Sequence, residues 1–153
     1  MAGAAAPVGR PPCAEGDRIV VGLVLVGHSG EVVRGIAAMV GQVAPSVPVA
    51  VAGGLAGDRL GTDGLAVAAA LRQVLEATDG AVLVLLDLGS AALALDVALD
   101  ELPPVDRPRV HPTEAPFVEG AVAAAVEAAT GAGIEAVIAA AEGSARRSKL
   151  PRG

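Results

Sequence analysis

His28 stands at the end of an apolar run, Ile19-Val20-Val21-Gly22-Leu23-Val24-Leu25-Val26-Gly27, and Ser29-Gly30 follow it at once. A second apolar run, Ala81 to Leu86, ends in Asp87-Leu88-Gly89-Ser90, and Gly61-Thr62-Asp63 lies between the two. A carboxylate that accepts a proton from one imidazole nitrogen fixes the tautomer and leaves the other nitrogen as a lone-pair nucleophile. A helix N-terminus beside the ring disfavours imidazolium and favours a bound anion. His28 with Asp87 as its orienting partner therefore suits a histidine that accepts a phosphoryl group. The hydroxyls of Ser29, Thr62 and Ser90, with backbone N–H groups around Gly30 and Gly89, are candidates to bind the phosphoryl oxygens.

Each of these residues also has a simpler role when taken alone. His28 reads as a turn residue and Asp87 as an Asx-turn. Ser90 and Thr62-Asp63 read as helix caps. Their arrival together at one sheet edge is what favours chemistry. His111, beside Pro112 in a poorly patterned segment, reads as a surface residue. Glu119, in the first turn of a helix, is explained by the helix dipole. Gly27 and Gly30 read as keeping bulk away from His28, and Gly53, Gly54 and Gly57 as allowing tight turns.

The elements that must position these groups alternate in type. Residues 1–17 are rich in Ala, Gly and Pro without periodicity and read as a disordered lead-in. Arg18 to Gly27 predicts a strand buried on both faces. A helix follows from Ser29 or Gly30 to about Val43, with Val32, Val33, Ile36, Ala37 and Val40 as its apolar stripe. Val47 to Ala52 is a short strand, with Pro48 favouring a sheet edge. An irregular stretch from Gly53 to Gly61 leads to a helix capped by Thr62 or Asp63 and running to about Ala77. Ala81 to Leu86 is a third buried strand, and Ala91 to Leu102 a helix stopped by Pro103-Pro104. Arg107 to His111 is a weak fourth strand and Pro112 to Pro116 a loop. Phe117 to Ala129 and Ile134 to Ala141 are Ala-rich helices, and the chain frays from Glu142, so the domain spans 18–142 with a disordered tail over 143–153. This alternation predicts an α/β fold, a parallel four-stranded sheet of order 2-1-3-4 with helices on both faces. Ligands then bind at the carboxyl ends of the strands, where His28, Asp87 and Ser90 fall.

Composition removes several function classes. The 153 residues are 53 % hydrophobic and 18 % charged, enough for one domain with its own core. One Phe and no Trp or Tyr leave almost nothing on which a base could stack. A net charge of −6 argues against nucleic-acid and anionic-membrane partners. The cluster Arg146-Arg147-Ser148-Lys149 reads as a solubilising tail. Cys13 alone forms no intramolecular disulfide, and two separated histidines offer no metal site. The longest apolar run is too short to span a bilayer and no signal peptide is recognisable, so a cytoplasmic location is expected. P-loop, dinucleotide-binding and nucleophile-elbow motifs are absent.

Four short motifs occur in a telling order: Val26-Gly27-His28-Ser29, Gly61-Thr62-Asp63, Leu86-Asp87-Leu88-Gly89-Ser90-Ala91 and Ala115-Pro116-Phe117-Val118-Glu119-Gly120-Ala121. Over about Ile19 to Glu142 the chain resembles the phosphotransferase subunit of phosphoenolpyruvate-dependent dihydroxyacetone kinase, in its domain similar to mannose-type IIA proteins. The resemblance implies a homodimer without a cofactor of its own. It implies that His28 takes a phosphoryl group from the carrier protein HPr. The group would then pass to ADP on the nucleotide-binding subunit of the kinase, while another subunit binds dihydroxyacetone. It carries over His28 as the phosphorylated residue, Asp87 as its partner, and Thr62 and Ser90 as phosphoryl-loop residues. Gly27 stands where Ser is frequent. Two other readings remain: a mannose-family sugar-transport IIA component donating to a IIB protein, and a non-catalytic regulatory protein of the same fold. The third-strand motif of the sugar-transport proteins usually resembles Asp-Leu-x-Gly-Gly-Ser-Pro, an ending this chain lacks.

Overall fold

The structure, a computed structural model, describes residues 18–152. The expected lead-in over 1–17 lies outside the described residues. Strand β1 is Val21–Gly27, every residue of it buried. Helix α1 (Gly30–Val43) leads to β2 (Val49–Gly53), and α2 (Gly64–Ala77) leads to β3 (Ala81–Leu86). Then come α3 (Ala91–Asp100), β4 (Val110–Thr113), α4 (Phe117–Ala129) and α5 (Ile134–Gly143). All three strand pairings are parallel and the sheet order is β2-β1-β3-β4, as the alternation of elements predicts.

Alternate residues of the central strands feed opposite faces. Val24, Val26, Val82 and Val84 pack with α2 and α3, in a cluster that includes Leu71, Val74 and Leu95. Leu23, Leu25, Leu83 and Leu85 pack on the other face with Val33, Ile36 and Val40 of α1 and the alanines of α4. Small helix residues let the helices lie close to the sheet, which compensates for the lack of aromatic bulk.

The chain leaves β1 for β2 on one side and returns over β1 to β3 on the other. β1 and β3 are therefore neighbours at the point where the strand order reverses. A crevice opens there at the carboxyl ends of the strands. Pro48 immediately precedes edge strand β2, and its carbonyl accepts from the Leu23 N–H. Pro112 lies within β4, the other edge strand, where a missing N–H is tolerated.

Several boundaries differ from the sequence expectation: β1 starts at Val21 and not Arg18, β2 spans Val49–Gly53 and not Val47–Ala52, and α3 ends at Asp100 and not Leu102. Arg107–Arg109 forms a 3-10 turn, so β4 starts at Val110 and runs on to Thr113. The Arg109 guanidinium fixes that turn by donating to the carbonyls of Gly80, Leu75 and Thr78. His111 is accordingly a half-buried residue in β4, paired in register with Leu83, rather than a surface residue. Beyond Glu142 the chain does not fray at once. A 3-10 turn, Ser144–Arg146, follows α5, and buried Ser144 donates to the Ala141 carbonyl. Lys149 reaches back to pair with Glu119.

Gly22 marks the tightest helix-on-sheet contact at β1. An added Cβ would overlap Cγ1 of Val74 in α2 and come within 3.2 Å of the Pro48 carbonyl. Gly22→Ala is expected to destabilise the fold by about 1–3 kcal/mol. Urea denaturation would show this as a lower midpoint at constant slope. An unchanged midpoint would mean that α2 has room to shift.

Candidate functional site

The residues at the carboxyl ends of β1 and β3 meet. β1 ends at Gly27 and β3 at Leu86, and Asp87 N–H donates to the Val26 carbonyl at 3.1 Å, which extends the ladder one residue further. That register sets the Asp87 carboxylate beside His28. Oδ2 accepts from the His28 backbone N–H at 2.8 Å, and Oδ1 lies 2.9 Å from the ring Nδ1. Oδ1 also accepts from the Leu88 N–H at 2.7 Å. An ionised carboxylate only accepts, so Nδ1 carries a proton. Nε2 of the neutral ring then holds the lone pair. It faces the Ser90 hydroxyl at 2.9 Å, which donates to it in that state.

Both side chains are mostly shielded, with 23 % of His28 and 18 % of Asp87 exposed. Burial disfavours the charged form of Asp87. The hydrogen bonds from the His28 backbone, the His28 ring and the Leu88 N–H, together with attraction to the imidazole, outweigh burial and hold the carboxyl below its ordinary value.

Helix geometry separates the cap residues from those free for another task. Ser29 is the N-cap of α1, and its hydroxyl accepts from the Val32 N–H at 3.4 Å. Asp63, and not Thr62, caps α2, accepting from the Leu65 N–H at 2.9 Å. The Thr62 hydroxyl makes no hydrogen bond among the described residues. Its neighbour Gly61 donates its N–H to the His28 carbonyl at 2.9 Å, which ties the long β2–α2 loop to the histidine. Ser90 precedes α3 with helical backbone angles and no capping bond, so its hydroxyl serves His28 instead. Gly89 is exposed in the same turn, with open space where a Cβ would be.

The glycines around the site have a different purpose from the one their positions suggest. A Cβ on Gly27 would meet Val33 at 2.8 Å and the Asp87 carboxylate at 3.2 Å, so Gly27 makes room for Asp87 and α1 rather than for an incoming surface. A Cβ on Gly30 would meet the Arg34 guanidinium at 2.7 Å and the Gly53 carbonyl at 3.1 Å. Sequence reasoning missed Arg34 and Arg59, which together with the carboxylates of Glu31 and Asp58 line a cleft of about 300 Å³ beside Ser29, Gly30 and the Gly53–Gly54 turn. The positive charge of the two arginines in a sequence of net charge −6 was the available signal. No group of His, Cys, Asp and Glu able to hold a metal occurs among the described residues. No helix among them is long and apolar enough to cross a membrane.

A doubly wound parallel sheet with a carboxylate-oriented histidine at its switch point is the architecture of a IIA-type phosphotransfer domain. The family model for EIIA-man, described as PTS system fructose IIA component, matches residues 22–138, and the chain belongs to that family. Membership makes it, in general terms, a phosphohistidine carrier domain of a phosphotransferase system, working with phosphotransfer partners such as HPr. The chain is also similar to a solved structure titled as the crystal structure of unknown function protein EF1359. The two are 30 % identical with a TM-score of 0.71, covering 81 % of this chain and 94 % of that one. No curated protein matches this chain.

The depressed Asp87 titration has a consequence for stability. A carboxyl whose folded value lies below its ordinary 3.8 stabilises the fold fully above that value. The contribution is lost as pH falls through the folded value. The stability gap between wild type and Asp87→Asn, measured by urea denaturation, is expected to be widest near neutrality and to shrink below about pH 4. A gap constant through the acid range would contradict the depressed value.

Proposed function

We propose that His28 is the phosphorylated residue, that it takes its phosphoryl group from HPr, and that it passes the group to ADP on the nucleotide-binding subunit of a dihydroxyacetone kinase. The observation that carries the site is the His28 ring held between Asp87 and Ser90. What favours the kinase over sugar transport is the third-strand motif, Asp87-Leu88-Gly89-Ser90-Ala91, without a Gly-Gly-Ser-Pro ending.

In this reading the Nε2 lone pair attacks the phosphorus of phospho-HPr. The donor P–N bond breaks and its electron pair stays on the donor imidazole. The His28 ring gains positive charge, which the Asp87 carboxylate stabilises from the Nδ1 side. The Ser90 hydroxyl leaves Nε2 and turns to a phosphoryl oxygen. The unbonded Thr62 hydroxyl and the N–H groups of Gly30 and Gly89 are further donors, and Ser29 contributes through the α1 N-terminus it caps. In the second half an oxygen of the ADP β-phosphate attacks, the P–Nε2 bond breaks, and its electrons return to Nε2. The site needs no cofactor of its own, because the nucleotide stays on the partner. A cytoplasmic homodimer is part of the proposal. Exposed Met39 and Val43 of α1, with Val118 and Val126 of α4, offer a face for the second copy.

Incubation with phosphoenolpyruvate, enzyme I and HPr should give an acid-labile phosphoryl mass increase, lost in His28→Ala. Asp87→Asn should remain folded and transfer about 10²–10⁴-fold more slowly. An undiminished label on His28→Ala would overturn the site. Chase of the label into ATP with the kinase subunits supports the acceptor, whereas chase only into a IIB protein would replace it.

A further inference from the structure

Between Arg18 and Arg72 the chain carries only two Lys or Arg residues, Arg34 and Arg59, and both line one cleft of about 300 Å³. That cleft shares its walls with the phosphoryl site. Ser29 and Gly30, which follow His28, form one wall. Leu60, next to the Gly61 whose N–H is on the His28 carbonyl, belongs to another. Arg34 leans back over the first turn of α1, so a Cβ on Gly30 would lie 2.7 Å from its Nη1.

These two guanidinium groups are largely uncommitted. Arg72, Arg107 and Arg109 donate to backbone carbonyls, and Arg18 pairs with Asp79. Arg34 makes no hydrogen bond or ion pair among the described residues. Arg59 gives only its Nε, to the Ala56 carbonyl at 3.3 Å, and keeps its terminal Nη groups free among the described residues. Glu31 and Asp58 line the same cleft, yet neither pairs with a guanidinium. Four charged groups of balanced sign make a poor trap for a bare inorganic anion. They match a ligand that is anionic at one end and carries hydroxyls at the other. Diphosphate oxygens accept from guanidinium forks, and ribose hydroxyls donate to carboxylates.

We propose that Arg34 and Arg59 clamp the diphosphate of the acceptor nucleotide, with Glu31 and Asp58 placed to accept from its ribose hydroxyls. The proposal rests on the ADP-acceptor reading of His28 given above. In the second half-reaction two anions have to meet, the phosphoryl group on Nε2 and the ADP diphosphate. The β-phosphate oxygen bonds to phosphorus as the P–Nε2 bond breaks and its electron pair returns to the ring. The guanidinium forks offset the repulsion between the two anions and hold the attacking oxygen in line. The first half-reaction brings no second phosphate, since phospho-HPr carries only the group to be transferred. The clamp therefore serves one half of the cycle and not the other.

The test is Arg34→Gln/Arg59→Gln, in which both substituted side chains are exposed, read in single turnovers of each half-reaction. Labelling of the variant by phospho-HPr should match wild type. Chase of the label into ATP on the ADP-loaded kinase subunit should slow about 10²-fold or more, and the loss should persist when that subunit is saturating. An unchanged chase rate would overturn the clamp. An equal slowing of both half-reactions would overturn it too, as would a loss abolished by saturating subunit, which is the mark of protein docking. A wild-type protein that accepts the label but fails to give it to ADP would instead overturn the acceptor reading, a result seen without any variant.

Discussion

The Asp87 carboxylate is the group on which the rest of the site depends. One oxygen takes the backbone N–H of His28 and the other faces its ring, so a single side chain fixes both where the histidine starts and which way it points. Two demands on the fold follow. β1 and β3 must be neighbours in a register that brings Asp87 level with the end of β1, and the parallel pairing Val26↔Leu86 provides it. Any side chain at residue 27 must also share its space with Val33 and the carboxylate, which lie 2.8 Å and 3.2 Å from where a Cβ would be. The valine and leucine faces of the sheet hold that register by burying both sides of the two central strands.

The family assignment and the site geometry support each other at different levels. Family membership defines a phosphotransferase IIA domain with a phosphohistidine role in general. The distances at His28 supply the reason one ring nitrogen, accepting from Ser90, keeps its lone pair for the proposed reaction while the other carries the proton toward Asp87. The proposed acceptor is a separate matter, resting on the short motif after β3 and on a composition of one Phe and no Trp or Tyr, which leaves almost nothing on which to stack a nucleotide base.

Much of this was legible in the sequence. β1 is buried throughout and β3 over its four central residues because both of their faces meet helices, and a continuous apolar run reports that directly. The meeting of His28 with Asp87 follows from strand order together with the rule that ligands gather at strand ends. Other features depended on contacts that no local pattern records. Ser90 looks like a cap, yet its hydroxyl is committed to a residue 62 positions away. Arg107-Pro108-Arg109 sits where a strand was expected, but Arg109 anchors it as a turn through carbonyls about 30 residues earlier in the chain. Gly27 and Gly30 resemble clearance for a partner, whereas tertiary packing under Asp87 and Arg34 is what excludes a side chain there.

The central claim is that Asp87 reserves Nδ1 of His28 and leaves Nε2 as the nucleophile. Nitrogen-15 and phosphorus-31 NMR of the ring-labelled protein, before and after phosphorylation, tests it most directly. The account predicts a protonated Nδ1 in the unphosphorylated neutral ring and phosphorus coupled to Nε2 afterwards. Phosphorus coupled to Nδ1, or a neutral ring protonated on Nε2, would contradict it.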